Sequence, residues 1–192
     1  MAARSNWSLT GFIALALFAM CAVILQDDGW NAAAVHTVTR VTARTSLILF
    51  LLAFSASALR RLWQTAATAW LLRNRRYLGV SFAISHYIHL AAIATLVYEF
   101  PDGRPMSLTL ILGGGLAYAF ILAMAVTSFD RTAKWLGPRK WRILHTAGSY
   151  WVWTIFAFSY LGRAVKSPSY IPAAIAVSLA MGLRIVAYLR KR

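Results

Sequence analysis

Six stretches of nearly uninterrupted apolar sequence dominate this chain, at about residues 9–25, 41–59, 77–98, 108–129, 143–161 and 170–189. Each is close to the roughly 20 residues with which an α-helix crosses the ~30 Å hydrocarbon core of a bilayer. In that solvent every backbone N–H and C=O must be paired within the protein, which leaves helices as the simplest spanning element. The expectation is an all-α integral membrane bundle of six transmembrane helices in the lipid bilayer. Composition agrees: 60% of the 192 residues are hydrophobic and 13% charged, where a soluble domain carries about 25% charged residues. So little polar sequence remains that one membrane domain accounts for residues 1–192.

The formal charge of +15 is distributed as topology requires. The segment 60–76 holds Arg60, Arg61, Arg73, Arg75 and Arg76, the segment 130–142 holds Arg131, Lys134, Arg139, Lys140 and Arg142, and the tail is Arg190-Lys191-Arg192. The opposite connections hold Asp27, Asp28, Glu99 and Asp102, four of the five acidic residues. Basic connections stay in the cytoplasm, so the expected protein is a multi-pass protein of the cell (inner) membrane, N-in and C-in. Clusters placed this way exclude nucleic acid as a partner. The chain also lacks a glycine fingerprint for dinucleotides, and its single Cys21 excludes a disulfide framework. The first apolar run follows Arg4 but has no convincing small-x-small cleavage site after it, so it reads as a helix and not as a signal peptide. Connections such as 101–105 are short turns, which leaves no extracellular substrate domain.

Within this apolar background the histidines stand out. His86 and His89 lie three residues apart in the third run, which starts directly after Arg75-Arg76, and His145 opens the fifth. A titratable side chain inside a span is costly enough to imply function, and imidazoles projecting from transmembrane helices are what a membrane protein needs to hold heme iron. His86 sits one turn before His89 on nearly the same face, so it is a second ligand, a heme propionate partner or a polar packing contact. His145, near the basic edge, is either a ligand or a propionate or headgroup contact. His36 reads as an interfacial residue in the connection before the second helix. Depth separates the candidates: His89 is thirteen residues past Arg76 and His145 three past Arg142. At 1.5 Å per residue their heights differ by roughly 15 Å, more than two ligands of one iron tolerate. Trp and Tyr residues near the span ends read as interfacial belts, Trp151 and Trp153 as core packing ahead of lining an electron route, and Gly113-Gly114-Gly115 as a close helix contact ahead of room for a flat macrocycle.

Two longer patterns carry a family resemblance. Arg75-Arg-Tyr-Leu-Gly precedes His89, and Thr127-Ser128 is followed by Leu136-Gly-Pro-Arg-Lys-Trp-Arg-Ile-Leu-His145. Together with Arg44-Thr45, and over about residues 40–162, the chain resembles the ferric-reductase-like transmembrane domain family, and within it the heme-binding membrane subunit of the bacterial methionine sulfoxide reductase system. The resemblance implies heme b between the third and fifth helices, with His89 and His145 at ligand positions. It implies electrons arriving from a cytoplasmic flavin, a flavin reductase or a quinol, and leaving to an acceptor at the outer face or an extracytoplasmic redox partner protein. Arg75, Arg76 and Arg142 then become cofactor contacts, to propionates or to a flavin phosphate. The chain departs from the family pattern at Phe158, where a second histidine of the fifth helix is common, and at Arg40, where helix two usually carries one. A heme-free structural or assembly protein on the same scaffold is the alternative. A transporter would need buried charges along a pathway, and apart from Arg184 the spans have almost none.

Overall fold

The computed structural model describes residues 6–101 and 108–190. Arg4, most of the 101–105 turn with Asp102 and Arg104, and Lys191-Arg192 lie outside the described residues. Among the described residues, every regular element is helical: α1 Trp7–Asp28, α2 Ala32–Leu62, α3 Ala66–Tyr98, α4 Leu108–Val126, α5 Asp130–Leu136, α6 Pro138–Ala164 and α7 Ile171–Leu189, with a single 3₁₀ turn, Pro168–Tyr170, before α7. Four helical segments, α1, α2, α3 and Pro168–Leu189, are each long and apolar enough to cross a membrane. Ile111–Val126 and α5 qualify only as a pair, bent by 108° at the break between them. The 27-residue α6 is outside that set, because His145, several Ser and Thr and its Tyr and Trp residues dilute its apolar character.

Two compact units are distinguished within the chain, residues 1–50 with 77–106, and residues 51–76 with 107–192. The first contains α1, the N-terminal part of α2 and the C-terminal part of α3. Gly29 ends α1 at φ +76°, a left-handed conformation that glycine adopts without a Cβ penalty. Asn31 then starts α2: its Oδ1 accepts from the Ala34 N–H at 3.0 Å, and its Nδ2 donates to the Asp28 carbonyl at 2.6 Å, so one side chain serves both helix ends. The apolar run begins at 41, yet the helix begins nine residues earlier. Thr37, Thr39, Thr42 and Thr45 each donate to the carbonyl one turn back, which hides their hydroxyls inside the helix. His36 is therefore a residue of α2 on its exposed face, and not part of a connection. Cys21, Val35, Val38 and Ala92 form the buried centre of this unit, with Ile24, Ile88 and Leu96 against them. Trp7 meets Tyr77 edge-on at 5.1 Å, and at the other end of the unit Trp30 donates to Glu99 at 3.1 Å.

The second unit contains the C-terminal part of α2, the N-terminal part of α3 and α4 to α7. The basic segment 60–76 is mostly helix and not a loop, because a reciprocal cap starts α3 at Ala66. Thr65 Oγ1 accepts from the Thr68 N–H and Thr68 Oγ1 from the Thr65 N–H, both at 3.2 Å, a capping box with Thr in the distal position. Arg76 pairs with Asp130 at 2.8 Å. Gly137, at φ +78°, turns the chain from α5 into α6, and Pro138 occupies the first helical position where its missing N–H costs nothing.

α6 packs against α4 and α7. Lipid tails are as apolar as leucine, so contacts of this kind rest on close packing and interhelical hydrogen bonds. Ile121, Val152 and Val177 are fully buried. Trp151 Nε1 donates to the Gly113 carbonyl at 3.2 Å and Trp153 Nε1 to the Val177 carbonyl at 3.0 Å, so both indoles pack between helices. The tight approach in this contact is Gly148, facing Met124 and Phe120 of α4. Of the three consecutive glycines only Gly113 has a neighbour, Ile155 at 3.5 Å from an added Cβ, while Gly114 and Gly115 face open space. Arg184 of α7 donates to the Phe54 carbonyl at 2.7 Å and to Tyr150 Oη at 3.2 Å. Its guanidinium also lies 4.3 Å from the centre of the Phe54 ring and 5.0 Å from that of Tyr150.

Candidate functional site

In the first unit, the seam between α2 and α3 is polar although most of its surroundings are apolar. Thr42, Ser46, Ser81 and Ser85 are fully buried. Ser46 Oγ donates to Ser85 Oγ at 2.9 Å, and Thr45 Oγ1 lies 3.1 Å from the same oxygen. Small hydroxyls let the two backbones approach closely and pair with one another there. His89 ends this seam. Its Nδ1 lies 2.9 Å from the Thr39 carbonyl and 3.3 Å from Thr42 Oγ1. A carbonyl can only accept, so Nδ1 carries the proton and donates it, which makes Nε2 the nitrogen with the lone pair. The ring is thereby fixed in one tautomer and one orientation.

His86 stacks on His89, with ring centres 5.3 Å apart and planes at 27°. Phe82 lies 5.3 Å beyond His86, and Phe50 of α2 5.3 Å from Phe82. Phe82, His86 and His89 thus form a ladder of rings up one face of α3. This spacing was legible in the sequence; the partners Thr39 and Thr42 were not singled out, since a backbone carbonyl has no sequence signature.

The second unit contains His145, in the second turn of α6. Its ring stacks on Trp141, one turn earlier, at 4.1 Å and 22°. Trp141 Nε1 donates to the Thr127 carbonyl at 2.9 Å. Thr127 Oγ1, 2.6 Å from the Ala123 carbonyl, has one proton and gives it to that acceptor, so at 3.0 Å it receives a hydrogen bond from His145 Nε2. In this arrangement the lone pair of His145 is on Nδ1, the opposite tautomer from His89. Thr127, part of the Thr-Ser motif, is the residue that decides this.

Among the cofactor-contact candidates, Arg76 is engaged by Asp130, whereas Arg75 and Arg142 are exposed. Phe158 is 78% exposed on the outer side of α6, so the position does not face the packed interior of its unit.

An imidazole that ligates heme iron must keep the lone pair on its ligating nitrogen, and anchoring the other N–H orients the ring and raises its basicity. His89 fits, with Nδ1 anchored on Thr39 and Nε2 as donor. His145 fits less directly, because its Nε2 is held by Thr127. Among the described residues no set of three or more His, Cys, Asp or Glu side chains converges as a metal site, so a porphyrin would have to supply the remaining iron ligands.

No family model matches the chain, and no solved structure matches it. Curated proteins do. A heme-binding subunit MsrQ of the protein-methionine-sulfoxide reductase from Ralstonia nicotianae is 30% identical over 142 residues, covering 69% of this chain and 62% of the relative. The chain is similar to the MsrQ heme-binding subunits. The MsrQ of Azospira oryzae is 26% identical over 179 residues, covering 86% of this chain, and that of Herminiimonas arsenicoxydans 26% over 142. The chain spans 62%, 72% and 64% of the lengths of these three MsrQ relatives.

Proposed function

We propose that this protein is a membrane-embedded electron-transfer subunit that carries heme b, with His89 as an iron ligand. It crosses the cell membrane six times, N-in and C-in, and passes electrons from a cytoplasmic flavin, flavoprotein or quinol to an acceptor or redox partner at the outer face. The observation that carries this reading is the Thr39 carbonyl on His89 Nδ1, in a chain similar to proteins named as heme-binding subunits. Heme, when bound, supplies a one-electron iron couple. The protein's own part is to hold the His89 ring against rotation, to keep Nε2 unprotonated, and to keep water away with buried Phe50 and Phe82. His145 and His86 remain the other ligand positions, and Arg75 and Arg142 the contacts for propionates or a flavin phosphate.

A heme-free structural or assembly role on the same scaffold is favoured by one observation, the capture of His145 Nε2 by Thr127. An optical spectrum of the detergent-purified protein, oxidised and then reduced with dithionite, separates the two. The heme reading expects a Soret band and an α-band that sharpens on reduction. A protein transparent above the aromatic absorption after expression with heme supply overturns it.

A further inference from the structure

The turn joining α2 to α3 borders an open cavity of about 600 Å³, of whose lining the proposed function uses only Arg75. Its lining is Ser57, Arg60 and Arg61 from α2, Gln64 from the turn, and Leu72 and Arg75 from α3. Three guanidiniums share this wall, and none of them is ion-paired with a carboxylate among the described residues. The fold uses only a fraction of their capacity. Arg60 donates through Nη1 to the Thr65 carbonyl at 3.2 Å and Arg61 through Nη1 to the Ala187 carbonyl at 3.1 Å, whereas each fork has five N–H donors. Like charges gathered without a counter-ion repel one another, so an anion here would relieve the repulsion as well as fill the donors.

The surroundings indicate which anion. Trp63 in the turn and Trp70 on α3 are both exposed, as indoles are at the headgroup level of a bilayer. Basic pockets between spanning helices at that level are complementary to anionic lipid headgroups, and guanidinium forks pair with phosphate oxygens bidentately. We propose that this cavity binds the phosphate of an anionic phospholipid through Arg60, Arg61 and Arg75. A soluble phosphate ester has the same recognition chemistry. The exposed Trp63, next to Gln64 of the lining, and Trp70, two residues before Leu72, favour the lipid, because exposed indoles prefer the headgroup region of a bilayer.

The test uses the full chain, purified in a neutral detergent and titrated with phosphatidylglycerol, with phosphatidylcholine as control, and bound lipid counted by native mass spectrometry. The wild type should retain phosphatidylglycerol in preference to phosphatidylcholine. Arg75→Gln should weaken retention about fivefold, with a further loss of similar size for Arg60→Gln and for Arg61→Gln. Arg75 makes no hydrogen bond to the fold among the described residues, so that single variant tests the site even where Arg60 or Arg61 substitutions disturb the turn. Equal retention of the two lipids, or unchanged retention in Arg75→Gln, overturns the proposal. Displacement of phosphatidylglycerol by micromolar riboflavin 5′-phosphate overturns the lipid assignment and gives the cavity to a soluble phosphate ester.

Discussion

Replacing Gly148 tests whether the close approach of α6 to α4 is the reason for a glycine in the middle of α6. A Cβ at that position would lie 2.9 Å from Met124 Sδ, 3.1 Å from Phe120 Cδ1 and 3.2 Å from Met124 Cε, where relaxed carbon contacts are about 3.5–4.0 Å. Gly148→Ala must push both side chains back by several tenths of an ångström, and overpacking of this kind costs about 1–3 kcal/mol. Helix propensity opposes it, since Ala is favoured over Gly by about 1 kcal/mol in a helix interior. The net expectation is a loss of up to about 2 kcal/mol. Met124→Ala alone leaves a void and also destabilises. In the double variant the new methyl enters space that the thioether has vacated, so the combined loss should fall short of the sum by about 0.5–3 kcal/mol. Equilibrium unfolding in mixed micelles, followed by tryptophan fluorescence, measures all three. Single-variant losses that add to within about 0.5 kcal/mol would refute the reasoning. The same displacement acts on the site, because His145 lies one turn before Gly148 and Thr127 one turn after Met124. The 3.0 Å bond between His145 and Thr127 spans the contact being forced apart.

His89→Ala should lose most heme, measured as pyridine hemochrome per protein, without losing membrane insertion; His145→Ala should be intermediate and His36→Ala nearly silent. Loss in His145→Ala with retention in His89→Ala would move the heme away from His89. Cysteines introduced at exposed Ala67 and Ala33, against a buried native Cys21, should differ in intact cells: a membrane-impermeant thiol reagent should label Ala33→Cys and spare Ala67→Cys, and the reverse pattern inverts the topology. Reduction by a cytoplasmic flavin donor should slow as salt is raised, because docking at the basic cytoplasmic face is screened over about 8–10 Å at physiological ionic strength. A rate independent of ionic strength, with NADH alone as reductant, refutes that donor.

The apolar spans were legible because hydropathy over some twenty residues is a strong signal, and α1, α7 and the C-terminal two thirds of α3 lie where it indicates. It misses helix starts that polar residues make. α2 begins at Ala32 because Asn31 caps it and its threonines bond their own backbone, and α3 begins at Ala66 because Thr65 and Thr68 cap each other. Composition marks such residues as loop-like; only their hydrogen bonds reveal the helix. In the site, His89 and the stacking of His86 on it follow from spacing along one helix. The tautomers do not, since they depend on a carbonyl of α2 and on Thr127, just past the end of α4, brought beside the rings by packing. Of the glycine triplet only Gly113 meets α6, for the same reason: spacing identifies small residues, but only the neighbouring helix decides that Gly148, and not Gly114 or Gly115, is where a side chain cannot fit.

Arg184 bears on how the bundle is put together. A guanidinium within an apolar helix is poorly received by lipid alone, and no carboxylate pairs with it among the described residues. What receives it is the Phe54 carbonyl, the Tyr150 hydroxyl and the faces of those two rings, contributed by α2 and α6. Both helices precede α7 in the chain, so during synthesis the acceptors are made before the cation that needs them. α7 enters a berth already furnished by its predecessors, and a chain in which α2 or α6 is delayed should leave α7 waiting at the membrane surface.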